Sequence, residues 1–196
     1  MRVANTFTHS NKENDVNNNR SGNFRNGRAA RTIVCGLLVG LVLAVAGMAS
    51  AQETTDLKFR GGIGVIPVTG VAANGSVTLN VVRGVNPAGP WRIADLDADV
   101  SSYGHIRVKG RGLLLAAGNG IGTNAGASVF ATLFCGPANT ATAHSSGRVA
   151  LHADGDFRID DVLSPAPPTT CDTPVLLIRN GAGSGVWFAA GIQELR

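Results

Sequence analysis

The sequence predicts an all-β fold, an antiparallel β-sandwich of Ig-like or jelly-roll-like form with about nine short strands. After residue 51, short β-branched or alternating runs recur between clusters of Gly, Pro, Asn and Asp. No segment of that part keeps the apolar period of an amphipathic helix. A small β-barrel is the alternative fold, because the same strand pattern also closes into barrels.

The first 51 residues predict an export signal. Residues 1–31 are rich in Asn, Ser and Arg and lack periodic apolar positions, so we expect either a disordered extension or a translation start further downstream. Residues 32–51 form an uncharged apolar run that ends in small residues. With Ala49 and Ala51 before Gln52, this pattern predicts a secretory signal peptide cleaved after Ala51.

The apolar run is also long enough to span a bilayer, so an uncleaved membrane anchor over 32–51 is the alternative. The polar sequence that starts at Gln52 favours cleavage. We therefore expect a secreted or periplasmic protein that keeps no permanent membrane span.

Residues 52–196 are long enough for one domain. The whole chain has a net charge of +4, but residues 52–196 contain 11 Lys and Arg and 11 Asp and Glu. Because phosphate recognition needs a surplus of positive charge, we expect no nucleic-acid partner. An unidentified protein or glycan partner outside the cytoplasm remains the expectation.

The strands are predicted from the turn residues that separate the apolar runs. In chain order they lie near residues 57–66, 76–83, 91–100, 105–116, 127–135, 147–152, 156–162, 174–179 and 185–193. Cys135 and Cys171 are predicted to form a disulfide, because a lone pair of cysteines in an exported domain is normally oxidised. That bond would tie the Pro-rich loop 164–174 to the fold.

Alternating charges predict the register of a first hairpin. Asp95, Asp97 and Asp99 alternate with apolar residues, as do Arg107, Lys109 and Arg111 further along the chain. A three-residue loop, Ser102-Tyr103-Gly104, places Asp99 opposite Arg107, Asp97 opposite Lys109 and Asp95 opposite Arg111. The apolar residues of both strands then share the opposite face.

The same reasoning predicts a second hairpin around the loop Ala153-Asp154-Gly155. Its strands would place Leu151 opposite Phe157 and Val149 opposite Ile159. On the outer face, His152 would lie opposite Asp156 and Arg148 opposite Asp160. Both hairpins would then match opposite charges across their strands.

Few residues are candidates for metal binding. The Asp95-Asp97-Asp99 triplet resembles the start of a calcium loop, but the glycine and the final acid of such a loop are absent. Asp154 and Asp161 remain free in the second predicted hairpin, and His144 offers an imidazole. We expect no cofactor, with calcium or another divalent ion at these three residues as the alternative.

The rest of the sequence offers aromatic side chains and histidines. Trp91, Tyr103 and Trp187 would bind carbohydrate if they lay on one exposed face, and core packing is the alternative. His105, His144 and His152 lie in no catalytic motif, and His144 is predicted to lie in a loop. The glycines around Gly120 mimic a phosphate loop but precede a strand, so they predict turns.

We therefore expect a secreted, non-enzymatic protein with a structural or binding role and no catalytic residues. The alternatives are a carbohydrate- or metal-binding module and a metal-dependent exported hydrolase. The sequence does not specify the ligand.

Overall fold

The computed structural model describes residues 56–183 and 185–195. The predicted extension, signal peptide and cleavage site lie outside these residues. Within them the secondary structure consists of strands, without a helix, which confirms the all-β prediction. The strands in chain order are β1 (Leu57–Gly64), β2 (Val68–Val71), β3 (Val77–Leu79), β4 (Trp91–Arg92), β5 (Asp95–Val100), β6 (His105–Arg111), β7 (Leu114–Leu115), β8 (Ser128–Cys135), β9 (Thr142–Ser145), β10 (Val149–Ala150), β11 (Phe157–Val162), β12 (Val175–Asn180) and β13 (Trp187–Gln193).

Nine of these strands form one curled antiparallel sheet that resembles half of a barrel. Its order is β10-β8-β12-β13-β1-β5-β6-β11, and β9 pairs with β8 beside β10. A bridge between Ser145 and Ser164 brings the chain just after β11 next to the end of β9. The antiparallel all-β prediction is therefore confirmed, whereas the Ig-like or jelly-roll-like sandwich is not confirmed.

Two further pairs of strands lie outside the curled sheet. β4 pairs with β7, and within the described part of the chain β2 pairs only with β3, forming a separate hairpin. The predicted strands 91–100 and 105–116 are each divided in two, and Gly112, with a φ of 60°, lies at the second break. β2 and β9 were not predicted, because Gly70 interrupts one run and β9 lacks an alternating apolar pattern.

The first predicted hairpin is confirmed residue by residue. β5 and β6 pair Asp95 with Arg111, Asp97 with Lys109 and Asp99 with Arg107. Gly104 closes the loop with a φ of 82°, a left-handed conformation that glycine adopts without steric cost. Charge on one face and burial on the other therefore specify the same register.

The second predicted hairpin is wrong in its strands and right only in its turn. His152 and Asp156 close the loop through a backbone bond of 2.9 Å, but the chains then separate. β10 pairs with β8, and β11 pairs with the free edge of β6. Asp160 consequently lies opposite Arg107 instead of Arg148, and Phe157 lies opposite Gly110 instead of Leu151. A Cβ atom on Gly110 would overlap the Phe157 ring, so this glycine is what lets β11 pack there.

The core lies on the concave side of the curled sheet. Its largest fully buried side chains include those of Phe59, Leu96, Ile106, Leu133 and Ile159. The chain before and within β4 packs on the sheet as a second layer. The Trp91 ring of this layer stacks on the Phe188 ring of β13, with the two ring centroids 4.2 Å apart. Loop residues also pair with Trp187, whose backbone N–H donates to the Asn86 carbonyl at 3.1 Å.

The predicted disulfide between Cys135 and Cys171 is present. It joins the end of β8 to the Pro-rich loop, with the two Cα atoms 4.9 Å apart. A cross-link that closes a loop of this length stabilises a fold by about 4 kcal/mol in the chain-entropy account. The loop is also held by the Gly136 N–H, which donates to the Asp172 carbonyl at 2.7 Å.

Candidate binding cleft on the charged face

The convex side of β1, β5, β6 and β11 carries a cleft of about 410 Å³ bordered by charged side chains. We call this surface the charged face. Strand alternation produces it, because every second residue of these strands points away from the core. The charged side chains that line the cleft are Arg60, Asp97, Asp99, Arg107, Lys109, Arg158 and Asp160.

In the half of the cleft formed by β1 and β5, carboxylates outnumber the cation. Arg60 lies between two carboxylates, at 2.8 Å from Asp97 and 2.7 Å from Asp99. It also donates to the carbonyl of Ala98 at 3.0 Å. The hydrogen bond to Asp99 raises the pKa of Arg60, with further contributions from the negative charges of Asp99, Asp97 and Glu194. This half therefore has a surplus of one negative charge, and the whole cleft, with four cations and three carboxylates, has a surplus of one positive charge.

In the half formed by β6 and β11, positive charge is in excess. His105 Nε2 lies 2.9 Å from Asp160, and the Arg107 and Arg158 guanidinium groups lie 3.7 and 3.9 Å from the same carboxylate. One aspartate therefore serves two arginines and a histidine. The two arginines carry more positive charge than Asp160 neutralises, even when the His105 imidazole is neutral.

The register adds a like-charge contact. Lys109 and Arg158 are directly opposite each other in the β6–β11 ladder. Like charges in directly opposed positions destabilise a sheet, and the usual arrangement matches opposite charges, as β5 and β6 do. A bound anion placed between these two side chains would remove the repulsion.

A second depression lies under the Pro-rich loop near the Tyr103 turn. It encloses about 90 Å³ and is bordered by Leu57, Val100, Leu133, Pro167 and Cys171, among other residues. Its volume corresponds to about three water molecules. It therefore suits only a small apolar group.

The predicted metal ligands do not come together. Asp161 accepts hydrogen bonds from the N–H groups of Gly147 at 2.6 Å and Val162 at 2.7 Å, which lower the pKa of its carboxyl. Asp154 accepts the N–H of Asp156 at 3.0 Å. The described ranges contain no group of three or more His, Cys, Asp or Glu arranged to hold a metal ion.

His144 was predicted in a loop, and this is wrong, because it is buried in β9. Its Nδ1 lies 2.9 Å from the Pro165 carbonyl, so Nδ1 carries the proton and donates. Its Nε2 lies 2.9 Å from the Thr142 hydroxyl and can accept from it. Both ring nitrogens therefore have protein partners, and His144 pins the start of the Pro-rich loop.

The predicted sugar-binding aromatics do not share an exposed face. Trp91 and Trp187 are buried, and only Tyr103, at 69% exposure, is open to solvent. Trp187 and its neighbour Phe188 are both buried, because Asn80 accepts a hydrogen bond from the Trp187 indole and the Trp91 ring stacks on Phe188.

Sequence reasoning missed the cleft because it needs pairings between distant strands. Arg60 meets Asp97 through the β1–β5 ladder, and Arg158 meets Lys109 through β6–β11. The available signal was the alternating charge of residues 156–162. It was assigned to the wrong neighbouring strand.

No helix among residues 56–183 and 185–195 is long and apolar enough to cross a membrane. A scan against protein-family profiles, a search of curated proteins and a search of solved structures each found no match to this chain. The function therefore has to be argued from the geometry of the charged face.

Proposed function

We propose that this protein is secreted or periplasmic and binds an acidic glycan, without catalysis, through the charged face. The observation that carries the proposal is the surplus of positive charge around Asp160, together with the Lys109–Arg158 contact. Carboxylate or sulfate groups would supply the missing negative charge. Guanidinium groups bind both in a bidentate way.

The shape of the cleft supports a polymeric ligand. The cleft lies on an open sheet face, and the Arg107 and Arg158 side chains are about two-thirds exposed. Single contacts between such exposed charges are weak and are screened by salt. A chain that carries a charge on each repeating unit would engage several cations at once.

Stacking on neutral sugar rings is not the mechanism that we propose, because Trp91 and Trp187 are buried. Binding is favoured over a hydrolytic role, because His144 has hydrogen-bond partners at both ring nitrogens and His105 is paired with Asp160. The histidines also lie on different elements of the fold.

We further propose that the curled sheet folds over as a flattened sandwich. Both layers of this sandwich would be parts of the same hydrogen-bonded sheet. Val100 of β5 and Leu133 of β8 border the same depression, which supports an arrangement of facing halves. Such a scaffold would present the charged face on one outer side.

The test is binding to polygalacturonate, which carries carboxylates, and to dextran sulfate, with neutral dextran as the reference polymer. We expect retention on both acidic polymers and loss of retention as salt is raised. The double variant Arg107→Ala, Arg158→Ala should lose at least tenfold in affinity. The matched control is Arg92→Ala, which removes an exposed arginine from β4, outside the cleft.

Equal retention on neutral dextran, or no effect of the Arg107 and Arg158 changes, would overturn the assignment of this face. Preference for one acidic polymer would identify the anionic group that is recognised. Binding to single-stranded DNA in place of both glycans would replace the proposed ligand class.

Export is tested separately with the full chain in a secreting bacterial host. We expect the soluble product to begin at Gln52 and to contain the Cys135–Cys171 bond in oxidised form. Recovery of the intact chain in the membrane fraction would instead support an anchor over residues 32–51.

A further inference from the structure

The hairpin of β2 and β3 is an uncharged apolar projection, which we call the arm (Ile66–Val81). Every residue from Thr69 to Leu79 is exposed. No Asp, Glu, Lys, Arg or His occurs between Gly61 and Val82. The large apolar side chains exposed on the arm are Ile66 at 64%, Val71 at 68%, Val77 at 57%, Leu79 at 48% and Val81 at 49%.

The root of the arm is held firmly. The Asn80 N–H donates to the Pro67 carbonyl at 2.9 Å, and its side-chain amide donates to the Ile66 carbonyl at 3.0 Å. The buried Trp187 donates its indole N–H to the Asn80 carbonyl at 3.0 Å. At the tip, Gly75 has a φ of 81° and closes a three-residue loop. The arm is therefore a defined hairpin rather than a loose loop.

Among residues 56–183 and 185–195, each strand of the arm has only the other strand as a partner. Their outer edges consequently present backbone N–H and C=O groups without a neighbouring strand. Natural proteins normally protect such edges with charges, prolines or bulges. β2 has two of these features, since Pro67 precedes it and its pairing shifts between Val68 and Gly70. β3 has neither.

We propose that β3 pairs with β3 of a second copy of this chain across a two-fold axis. Antiparallel pairing centred on Thr78 would place Val77 of one copy opposite Leu79 of the other. Because the strand carries no charge, two copies meet without electrostatic repulsion.

The exposed area fits a reversible dimer. The five apolar side chains expose on the order of 500 Å² per copy, near the upper end of apolar patches on monomers. A standard interface buries about 800 Å² from each partner. Association through the arms is therefore expected to be reversible and dependent on concentration.

A lipid surface is the other environment that an apolar hairpin could enter, and the arm fits it less well. Unpaired backbone groups are costly in hydrocarbon, whereas a second strand satisfies them. The arm also lacks the Lys, Arg, Trp and Tyr side chains that anchor interfacial segments.

The experiment is sedimentation equilibrium of the protein purified from a secreting host that expresses the full chain, across a wide concentration range. We expect a monomer–dimer equilibrium for the native chain. The double variant Val77→Lys, Leu79→Lys should raise the dissociation constant at least tenfold. The matched control Ile121→Lys, Val162→Lys adds the same charge at exposed apolar positions outside the arm and should leave the equilibrium unchanged.

A mixing experiment identifies the occupant. The lysine variant should associate with a Val77→Glu, Leu79→Glu variant, because opposite charges then face each other across the two-fold axis. Neither variant should associate with itself. Far-ultraviolet circular dichroism of each variant checks that the fold is retained.

A native chain that stays monomeric at all concentrations would overturn the proposal, as would a dimer that the arm variants do not affect. Co-sedimentation of the monomer with neutral phosphatidylcholine vesicles would assign the arm to a lipid surface instead. These outcomes are independent of the acidic glycan, which binds on another surface.

Discussion

The charged face and the arm are built alike and solvated differently. Both contain an antiparallel hairpin with a three-residue loop that ends in a left-handed glycine, Gly104 in one and Gly75 in the other. The strands of the charged face cover a core on one side and carry charge on the other. The arm is exposed on both sides and carries none. Charge thus accompanies the solvent-facing side of the sheet, whereas the exposed arm is uncharged and is the surface at which we propose that a second copy binds.

The largest expected difference between the two regions is in stability. Leu96→Ala, beneath the charged face, should cost about 2–5 kcal/mol, because the side chain is fully buried and its loss leaves a cavity. Leu79→Ala in the arm should change the stability of the monomer by about 0.5 kcal/mol or less. Urea unfolding at low protein concentration measures both, and equal losses would contradict an arm that contributes little to the core.

The next effect is the coupling of Arg60 to Asp99. A double-mutant cycle with alanine at both positions should give a coupling free energy of about 0.2–1 kcal/mol, because the two charged groups lie 2.7 Å apart and both side chains are partly exposed. The coupling should fall as salt is raised. The stability changes caused by Val77→Ala and Leu79→Ala should not depend on salt. A clear salt dependence of these changes would contradict the uncharged character of the arm.

A smaller effect differs between two opposed positions. Arg158→Glu should stabilise the fold by up to about 0.5 kcal/mol at low salt, because it creates an opposite-charge pair with Lys109 and gives up only the 3.9 Å contact with Asp160. Lys109→Glu should give no such gain, because the pairing with Arg158 is offset by like charges opposite Asp97. Both variants should bind acidic polymers less well. A loss of stability for Arg158→Glu would show that the contact with Asp160 outweighs the repulsion from Lys109.

The smallest effect concerns acid. The pKa of Asp161 is lowered by the N–H groups of Gly147 and Val162, so its contribution to stability is complete above the usual carboxyl value of about 4. That contribution is lost as pH falls through the lowered pKa. Asp161→Asn should therefore cost most near neutral pH and progressively less below about pH 4. Chemical unfolding of the native chain and the variant, near neutral pH and below about pH 4, measures this. A difference in unfolding free energy that is the same at both pH values would contradict the prediction.

Local patterns allowed the β5–β6 register to be predicted, because Asp95 to Arg111 contain both strands, their charges and the turn glycine. The partner of β11 could not be predicted in this way. β6 offered it a free edge about 50 residues earlier in the chain, and Gly110 made room for Phe157. A local turn at Gly155 therefore did not imply a local ladder.

The candidate surfaces were less predictable than the fold. Residues 76–83 were correctly predicted to contain a strand, but Val77 and Leu79 are of apolar types that are usually found in a core. Their exposure is evident only from the structure, in which no other described segment covers them. The positions of Arg60 and Arg158 in the cleft likewise depend on pairing between strands that are distant in the sequence. Cysteine content, in contrast, predicted the disulfide directly, because only two cysteines follow residue 51 and a lone pair is normally oxidised in a domain that is expected to be exported.

The hydrogen bond from the Trp187 indole to Asn80 gives the molecule an internal optical reporter. The indole is buried in the body of the domain, and its N–H touches the residue from which the arm emerges. The chain has only one other tryptophan, Trp91, so a Trp91→Phe variant would emit from this position alone. Under the proposed pairing of two copies, the wavelength of that emission would report any change at the root of the arm, without an attached dye.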